Sequence, residues 1–333
     1  MNVLVTGGGG FIGSHLAEHH LTKEDSVTVI DNLSRTEYNT KYLQEKYPQL
    51  TFRRGDVADP ATFKGLTDEL DIVYHCAAQV AVTTSLENPR LDYETNATGT
   101  FNLCEAVRQS GSDPAIVFCS TNKVYGDLKL PVKEGKSRYS YRDIGGIDES
   151  HPLEANCPYG GSKIIAEYIL DTYNSSYGLK TVKARMSCIY GTRQFGNEDQ
   201  GWVAWFTIAA VTGKPITIYG DGKQVRDLLY ITDQNKAFEA LARTIKKTSG
   251  KAYNLGGGPG NTTSLFELLD LIEDLTGKRS KVGRGDWRKG DQKVFVSDIT
   301  KIMKEIKWEP EVGVRKGVEE IAAWTVEHRE LFR

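Results

Sequence analysis

The chain has little of what would tie it to an oxidising compartment, a polyanion or a bilayer. Its five cysteines (Cys76, Cys104, Cys119, Cys157 and Cys188) include no pair at C-x-x-C spacing, and three sit in apolar runs. Free buried thiols in a reducing compartment are the expectation. An excess of either charge is lacking too: 42 Lys and Arg oppose 44 Asp and Glu, for a net charge of -2. Nothing in that balance points to a nucleic-acid partner or an anionic membrane. No apolar run approaches the roughly 20 residues of a membrane span. The N-terminal stretch lacks a basic region, and a glycine turn interrupts it, so no secretory leader is expected. What remains is a soluble cytoplasmic protein. Its 333 residues can bury a large core, as one elaborate domain or two lobes.

Glycine, by contrast, is placed with purpose. The apolar run Val3–Val5 feeds Thr6-Gly7-Gly8-Gly9-Gly10-Phe11-Ile12-Gly13, and a helical pattern follows at once. This strand–turn–helix suits a dinucleotide pyrophosphate. Gly7, Gly10 and Gly13 let the backbone turn and let phosphate oxygens approach, while the N–H groups of Phe11 and Ile12 open the helix. The required acidic residue lies about 20 positions on. Asp31 closes the run Val27-Thr-Val-Ile-Asp31, where a carboxylate binds the adenosine ribose hydroxyls and repels a 2′-phosphate, which favours NAD over NADP. Asn32, Ser34 and Arg35 lie beside it as further cofactor candidates.

Strand patterns at 2–6, 27–31, 51–54, 71–76 and 115–120 alternate with helical patterns near 10–21, 59–70 and 91–109. The alternation predicts an α/β fold, a doubly wound parallel sheet of Rossmann type. A further helix is expected from Pro158, and strands at 180–185 and 251–255. The pattern then loosens, with short helices at 264–276 and 313–328. We expect an NAD-binding domain over 1–186 with a returning segment near 228–258, and a smaller substrate lobe from 187–227 and 259–333. The polar stretch 128–152 is too long for an ordinary connector and reads as a flap or insertion.

The chemistry gathers at Tyr159-Gly-Gly-Ser-Lys163. On a helix, i and i+4 share a face. A lysine ammonium there and an oxidised nicotinamide both favour a phenolate, which can take a proton from a sugar hydroxyl as hydride leaves the same carbon. Ser120 and Thr121 end a strand, where open parallel sheets bind ligands, and are placed to donate or relay a hydrogen bond. His15-Leu-Ala-Glu18-His19 formally matches an inverted zinc motif, but its helix must pack on the sheet and no third ligand is evident. His75 reads as a core histidine. No metal site is expected.

Thr6-Gly7-x-x-Gly10-x-x-Gly13, Asp31, Gly55-Asp56-Val57, His75-x-Ala77-Ala78-Gln79, Asn96, Thr121, Tyr159 and Lys163 together resemble the extended short-chain dehydrogenase/reductases, over nearly the whole chain. The resemblance implies NAD in a Rossmann domain and a nucleotide-diphosphate sugar in a C-terminal lobe. By it, Asp56 and Val57 hold the adenine; Ala77, Ala78, Gln79 and Asn96 line the middle of the cofactor. Thr121, Tyr159 and Lys163 are the catalytic trio, the last two also touching cofactor. Longer strings are similar to the CDP-paratose (CDP-tyvelose) 2-epimerase branch: Gln79–Ser85, Ser120–Asp127, Arg193-Gln-Phe195 with Asp199–Val203, Gly222–Asp227 and Asp291–Val296. That likeness implies Thr83, Asn122, Lys123, Gln200, Arg226 and Arg288 as substrate contacts, the two arginines gripping the diphosphate.

Departures separate this chain from other branches. Sugar-nucleotide 4,6-dehydratases carry Asp-Glu after the catalytic Thr; here the pair is Asn122-Lys123, which cannot supply that acid/base chemistry. Many 4-epimerases carry Arg-Tyr-Phe-Asn where this chain has Arg185-Met-Ser187-Cys188. The expected activity is epimerisation of a CDP-sugar at C2 by transient oxidation. A 4-epimerase of a UDP- or CDP-hexose is the alternative, and a non-catalytic NAD sensor a third reading. A homodimer or homotetramer is implied, built through helices including 91–109 and 158–178.

Overall fold

The structure, a computed structural model, describes residues 1–65, 68–288 and 290–332. Its strands in chain order are β1 (Asn2–Thr6), β2 (Ser26–Asp31), β3 (Thr51–Arg54), β4 (Ile72–His75), β5 (Ala115–Thr121), β6 (Val132–Glu134), β7 (Tyr139–Tyr141), β8 (Thr181–Met186), β9 (Cys188–Tyr190), β10 (Ile216–Tyr219), β11 (Val225–Tyr230), β12 (Ala252–Leu255), β13 (Thr262–Ser264), β14 (Val282–Gly285) and β15 (Val294–Phe295). The α-helices are α1 (Phe11–Leu21), α2 (Tyr38–Lys46), α3 (Val82–Glu87), α4 (Pro89–Asp92), α5 (Gly99–Ser110), α6 (Pro158–Tyr177), α7 (Trp202–Thr212), α8 (Ile231–Arg243), α9 (Ile245–Thr248), α10 (Leu265–Thr276), α11 (Thr300–Ile306) and α12 (Val314–Glu327).

The chain divides into two compact units, each discontinuous: Met1–Gly126, Leu153–Arg185 and Asn235–Tyr253 form the first, and Asp127–Pro152, Met186–Gln234 and Asn254–Arg333 the second. The first is built on a seven-stranded sheet in the order β12-β8-β5-β4-β1-β2-β3. β1 pairs in parallel with β2 and β4, as at Thr6 beside both Ile30 and His75, and β2–β3 and β4–β5 are parallel as well. This is the doubly wound order expected from the alternation of strands and helices. All seven residues of β5 are buried, as a central strand covered on both faces requires. Leu4, Val73, Ile116 and Phe118 from the strands meet Leu103, Val107, Ala166 and Leu170 from α5 and α6 in one cluster. α6 begins on Pro158, whose missing N–H costs nothing at a first helical position, and stops at Gly178, with φ 76°.

Two expected features differ. Residues 59–70 do not form a helix over their described part. Asp59 caps a single 3-10 turn, Pro60–Phe63, by accepting from Ala61 N at 2.9 Å, and Gly65 at φ 69° turns the chain away; Leu66 and Thr67 lie outside the described residues. The helix expected over 91–109 is broken in type: α4 passes into a π-helical stretch, Tyr93–Thr98, before α5.

In the second unit, β13, β11 and β15 form a sheet, with β9 beside the far half of β11. The polar stretch 128–152 belongs to this unit and is strapped down rather than loose. β6 and β7 pair as a hairpin, Tyr139 packs on Val225, Val294 and Val296, and Ile147 bridges to Ser297. Arg138 forks onto Glu267, which with Ser264 forms the capping box of α10. Val132 and Tyr141 pack against the same cluster as Tyr139.

Candidate cofactor and catalytic site

The first unit holds the cofactor and catalytic candidates. β1 ends in a turn that only glycine fits. Gly7 has φ 70°, and a Cβ there would stand 2.5 Å from Ala77 N; a Cβ on Gly13 would stand 2.3 Å from the Gly7 carbonyl oxygen. The turn is pinned by Gly7 N donating to Ile30 O at 2.7 Å. No side chain caps the start of α1 at Gly10, so the N–H groups of Phe11 and Ile12 are offered to an anion. At the end of β2, the Asp31 carboxylate accepts from Gly9 N at 2.9 Å and Leu33 N at 2.7 Å. Burial pushes its pKa above the usual carboxylate value, against those backbone donors. Asn32 donates to Asp56 at 3.0 Å, and Asp56 in turn caps Ala58 N at 2.9 Å. Ser34 and Arg35 are exposed on the loop beyond. Val57 is buried against Gly99, where a Cβ would collide with its methyl at 2.6 Å. A Cβ-free cradle, an uncapped helix start and a carboxylate at the next strand end fit a dinucleotide.

β4 carries the next segment. His75 is fully buried and linked on both ring nitrogens, Nδ1 to Thr6 Oγ1 (2.7 Å) and Nε2 to Thr100 Oγ1 (3.1 Å). The Thr100 hydroxyl donates to Asn96 O, so it accepts from His75 Nε2–H, and Nδ1 is left to accept from Thr6. Burial drives His75 down to about 3, so it stays neutral and acts as a structural pin. Ala77 and Ala78 follow, half-buried, with Ala77 N donating to Thr6 Oγ1 at 3.3 Å. Gln79 donates to both Asp92 oxygens, and Asn96 brackets its backbone, accepting from Gln79 N at 3.0 Å and donating to Gln79 O at 3.1 Å. Asn96 also donates to Ser162 on α6 at 2.9 Å. It lies in the π-helical stretch, a distortion frequent at functional sites.

At the C-terminal end of β5, Thr121 is hydrogen-bonded to Tyr159 and accepts from Lys123 N at 3.2 Å. Lys163 is 1% exposed and donates to the Cys119 carbonyl at 2.8 Å, over the Phe118 ring at 4.5 Å. Burial lowers Lys163 to about 8. Burial also raises the Tyr159 hydroxyl well above its ordinary value, with Thr121 opposing. Burial thus favours the phenol over the phenolate. Ser120 differs from expectation. It is 2% exposed and donates to Glu167 Oε1 at 2.5 Å, inside the core. Glu167, in turn gripped by Arg185 (Nη2–Oε2 2.7 Å), went unnoticed in the sequence, although its spacing of eight from Tyr159 puts it on the same helix face. Asn122 sits behind Thr121, its Oδ1 3.4 Å from the hydroxyl. Thr83, on α3, has a buried hydroxyl with no hydrogen-bond partner among the described residues.

His15, Glu18 and His19 turn to separate partners: Phe11 O for His15, Tyr42 and Lys46 for Glu18, and Glu239 for His19. None of the five cysteines forms a disulfide, and the Cys76 and Cys119 sulfurs lie 3.2 Å apart.

In the second unit, Arg226 is 8% exposed on β11 and ion-paired with Asp291 at 2.5 Å. Arg288 lies over the Tyr219 ring at 4.0 Å and meets Asp199 at 3.2 Å. Gln200 keeps a buried Oε1 with no hydrogen-bond partner among the described residues. The two arginines are held by single carboxylates, an arrangement open to exchange for phosphate oxygens.

A family model described as the NAD dependent epimerase/dehydratase family matches residues 3–256. A CDP-paratose 2-epimerase of Salmonella typhi is 41% identical over 336 residues, spanning 98% of this chain and 99% of that one. A putative UDP-glucose 4-epimerase of Methanocaldococcus jannaschii is 31% identical, spanning 97% of each. Among solved structures, the Thermus thermophilus UDP-glucose 4-epimerase in complex with NAD aligns with a TM-score of 0.84 at 33% identity, over 98% of this chain and 100% of that one.

Proposed function

Because the chain belongs to the NAD dependent epimerase/dehydratase family, we propose that it interconverts CDP-paratose and CDP-tyvelose by epimerisation at C2. It is an isomerase with NAD as cofactor. The observation that carries the substrate is the 41% identity with a CDP-paratose 2-epimerase across 98% of the chain. Asn122-Lys123 behind Thr121 supports it, since this pair lacks the carboxylates a dehydratase needs.

Gly7–Gly13 and Asp31 would hold NAD, which when bound would supply reversible hydride transfer at the sugar carbon. Tyr159 Oη takes the hydroxyl proton and later gives it back. Burial that raises its pKa makes its phenolate a strong base for that proton, and added positive charge beside the ring is what makes the phenolate accessible. Thr121 holds the Tyr159 hydroxyl. Lys163, half-protonated near pH 8, sits one turn below and carries charge toward the same pocket. Asp31 orients the adenosine ribose, Gly7–Gly13 seat the pyrophosphate, and Arg226 and Arg288 take the substrate diphosphate.

Exposed apolar side chains on α4, α5 and α6 (Leu91 40%, Phe101 45%, Ile165 42% and Tyr168 62%) support a homodimer through these helices. Thiols that form no disulfide support a reducing, cytoplasmic setting. Among the described residues, no helix is long and apolar enough to cross a membrane.

The deciding experiment uses CDP-paratose deuterated at C2. A primary isotope effect with the label retained at C2 of the product is expected, because hydride held on a nicotinamide does not exchange with water. A 4-epimerase, the second reading, is favoured by the 31% and 33% relatives; it wins if C4 deuterium gives the effect and C2 deuterium does not. Loss of label to solvent excludes transient oxidation.

A further inference from the structure

Three consecutive residues at the end of β5 are tied to three residues one turn apart on α6. Lys163 Nζ donates to the Cys119 carbonyl (2.8 Å), the Ser120 hydroxyl donates to Glu167 Oε1 (2.5 Å), and Thr121 pairs with Tyr159. Positions 159, 163 and 167 repeat at the spacing that stacks side chains on one helix face. Two of these ties belong to the reactive pair. The third ends on a carboxylate that is 2% exposed and has no part in the chemistry described so far.

A buried carboxylate survives only if its charge is met. Arg185 meets it: Nε lies 3.1 Å from both Glu167 oxygens and Nη2 lies 2.7 Å from Oε2. The guanidinium then reaches forward. Nη1 donates to the Tyr125 hydroxyl at 3.1 Å, and the cation lies 5.3 Å from that ring. Tyr125 closes the 3-10 turn, Asn122–Tyr125, that begins right after Thr121. The Glu167–Arg185 pair therefore holds the chain on both sides of Thr121.

We propose that Glu167, braced by Arg185, is a positioning residue for the reaction: by anchoring Ser120 it fixes the Thr121 hydroxyl against Tyr159. This rests on the reading of Thr121, Tyr159 and Lys163 as the catalytic trio. The charge of Glu167 adds a second effect. The titratable groups around Lys163 are Cys76 on the segment after β4, Cys119 on β5, Asp92 on α4 and Glu167 on its own helix, with His75 kept neutral by burial. Glu167 is the one with a full-time arginine partner, and its field opposes the burial that drains Lys163 of its proton.

Two variants separate the two effects. Ser120→Ala cuts the tether and keeps the ion pair, so Thr121 loosens from Tyr159 and the Tyr159 ionisation moves to higher pH. Glu167→Gln keeps an acceptor for Ser120 and removes the negative charge, so Lys163 gives up its proton at lower pH and the Tyr159 ionisation, deprived of that ammonium, also moves to higher pH. The ionisation is read without substrate, in NAD-loaded protein, as tyrosinate absorbance after subtracting the Tyr159→Phe signal. In turnover of CDP-paratose, both variants should lose about tenfold to a hundredfold in kcat, the scale of a small misplacement at a reacting centre. KM and NAD content should stay within about twofold. Ionisation curves that superimpose on the parent overturn the proposal, as does a rate loss that appears only with lost NAD or a raised KM. Should Glu167→Gln fail to fold, Ser120→Ala alone decides. Tyr159→Phe retaining more than about a tenth of the parent rate brings down the catalytic reading itself. Silent Ser120→Ala and Glu167→Gln variants beside an inactive Tyr159→Phe bring down only the positioning role.

Discussion

Gly7→Ala and Gly111→Ala form a controlled pair for testing the cofactor cradle. Both glycines are left-handed, with φ 70° and 74°. Each alanine therefore carries the same backbone penalty of about 1–2 kcal/mol, partly offset by a stiffer unfolded chain, worth about 0.4–1 kcal/mol. Only the surroundings differ. Nothing stands within 4 Å of a Cβ on Gly111, which caps α5, whereas a Cβ on Gly7 would lie 2.5 Å from Ala77 N, 2.7 Å from Ala77 Cα and 2.8 Å from the Cys76 carbonyl carbon. All three are backbone atoms of a packed segment that cannot swing aside as a side chain would. Overpacking of that kind costs about 1–3 kcal/mol more. At about 2–4 °C per kcal/mol for a folding unit of this size, Gly7→Ala should melt roughly 2–12 °C below Gly111→Ala in cofactor-free protein. Calorimetric melts of both variants give that gap, and titration with NAD gives the functional half. Gly7→Ala should lose at least tenfold in NAD affinity, because the collision pushes apart the turn and the segment that follows β4; Gly111→Ala should bind as the parent does. Equal melting temperatures, or undiminished NAD binding by Gly7→Ala, would refute the claim that this turn is closed to side chains.

Tyr159→Phe should cut turnover by about 10²–10⁴-fold while NAD stays bound, since only the proton-carrying oxygen is lost; a steady-state rate with a count of cofactor per chain checks both. Asp31→Ala should weaken NAD by tenfold or more and narrow its advantage over NADP, read by titrating each dinucleotide, as removal of the carboxylate removes both the ribose acceptor and the repulsion of a 2′-phosphate. Arg226→Ala and Arg288→Ala should each raise the sugar-nucleotide Kd by roughly 10- to 150-fold, the equivalent of about 1.5–3 kcal/mol for a charge-assisted bond; calorimetry that finds both within twofold of the parent would place the diphosphate elsewhere.

Much of the first unit could be read along the chain because its strands are covered on both faces. β1, β2, β4 and β5 are short apolar runs with no polar face to confuse the period. The glycine turn was legible for a related reason, since backbone crowding leaves few residue choices. What escaped depends on partners distant in sequence. Ser120 has a polar hydroxyl at a strand end, and nothing nearby says that it turns inward, because Glu167 is 47 residues away and Arg185 lies 18 beyond that. How the segment 128–152, read as a flap or insertion, is held was not legible because its contacts, Tyr139 on Val225 and Ile147 beside Ser297, bridge 86 and 150 positions of chain. The π-helical stretch at Tyr93–Thr98 leaves no periodic signature over so short a run.

The threading of the chain has a consequence for synthesis. The seven-stranded sheet takes one edge strand, β12, from the third segment of its unit. When Arg185 leaves the ribosome, β8 lies at an open edge with its hydrogen-bonding groups unmatched. Roughly seventy residues separate Arg185 from the end of β12 at Leu255, so at about 5–20 residues per second the edge waits on the order of 3–14 s before β12 can arrive. An unpaired central-type strand is a template for the wrong neighbour. The charged side chains of β8, Lys183 and Arg185, face partners in α6 already made, Asp171 and Glu167. They can therefore dock the strand on its helix before its other side is closed. A nascent chain halted near residue 220 should accordingly depend on holdase chaperones more than one halted near residue 290, when the whole sheet can have formed.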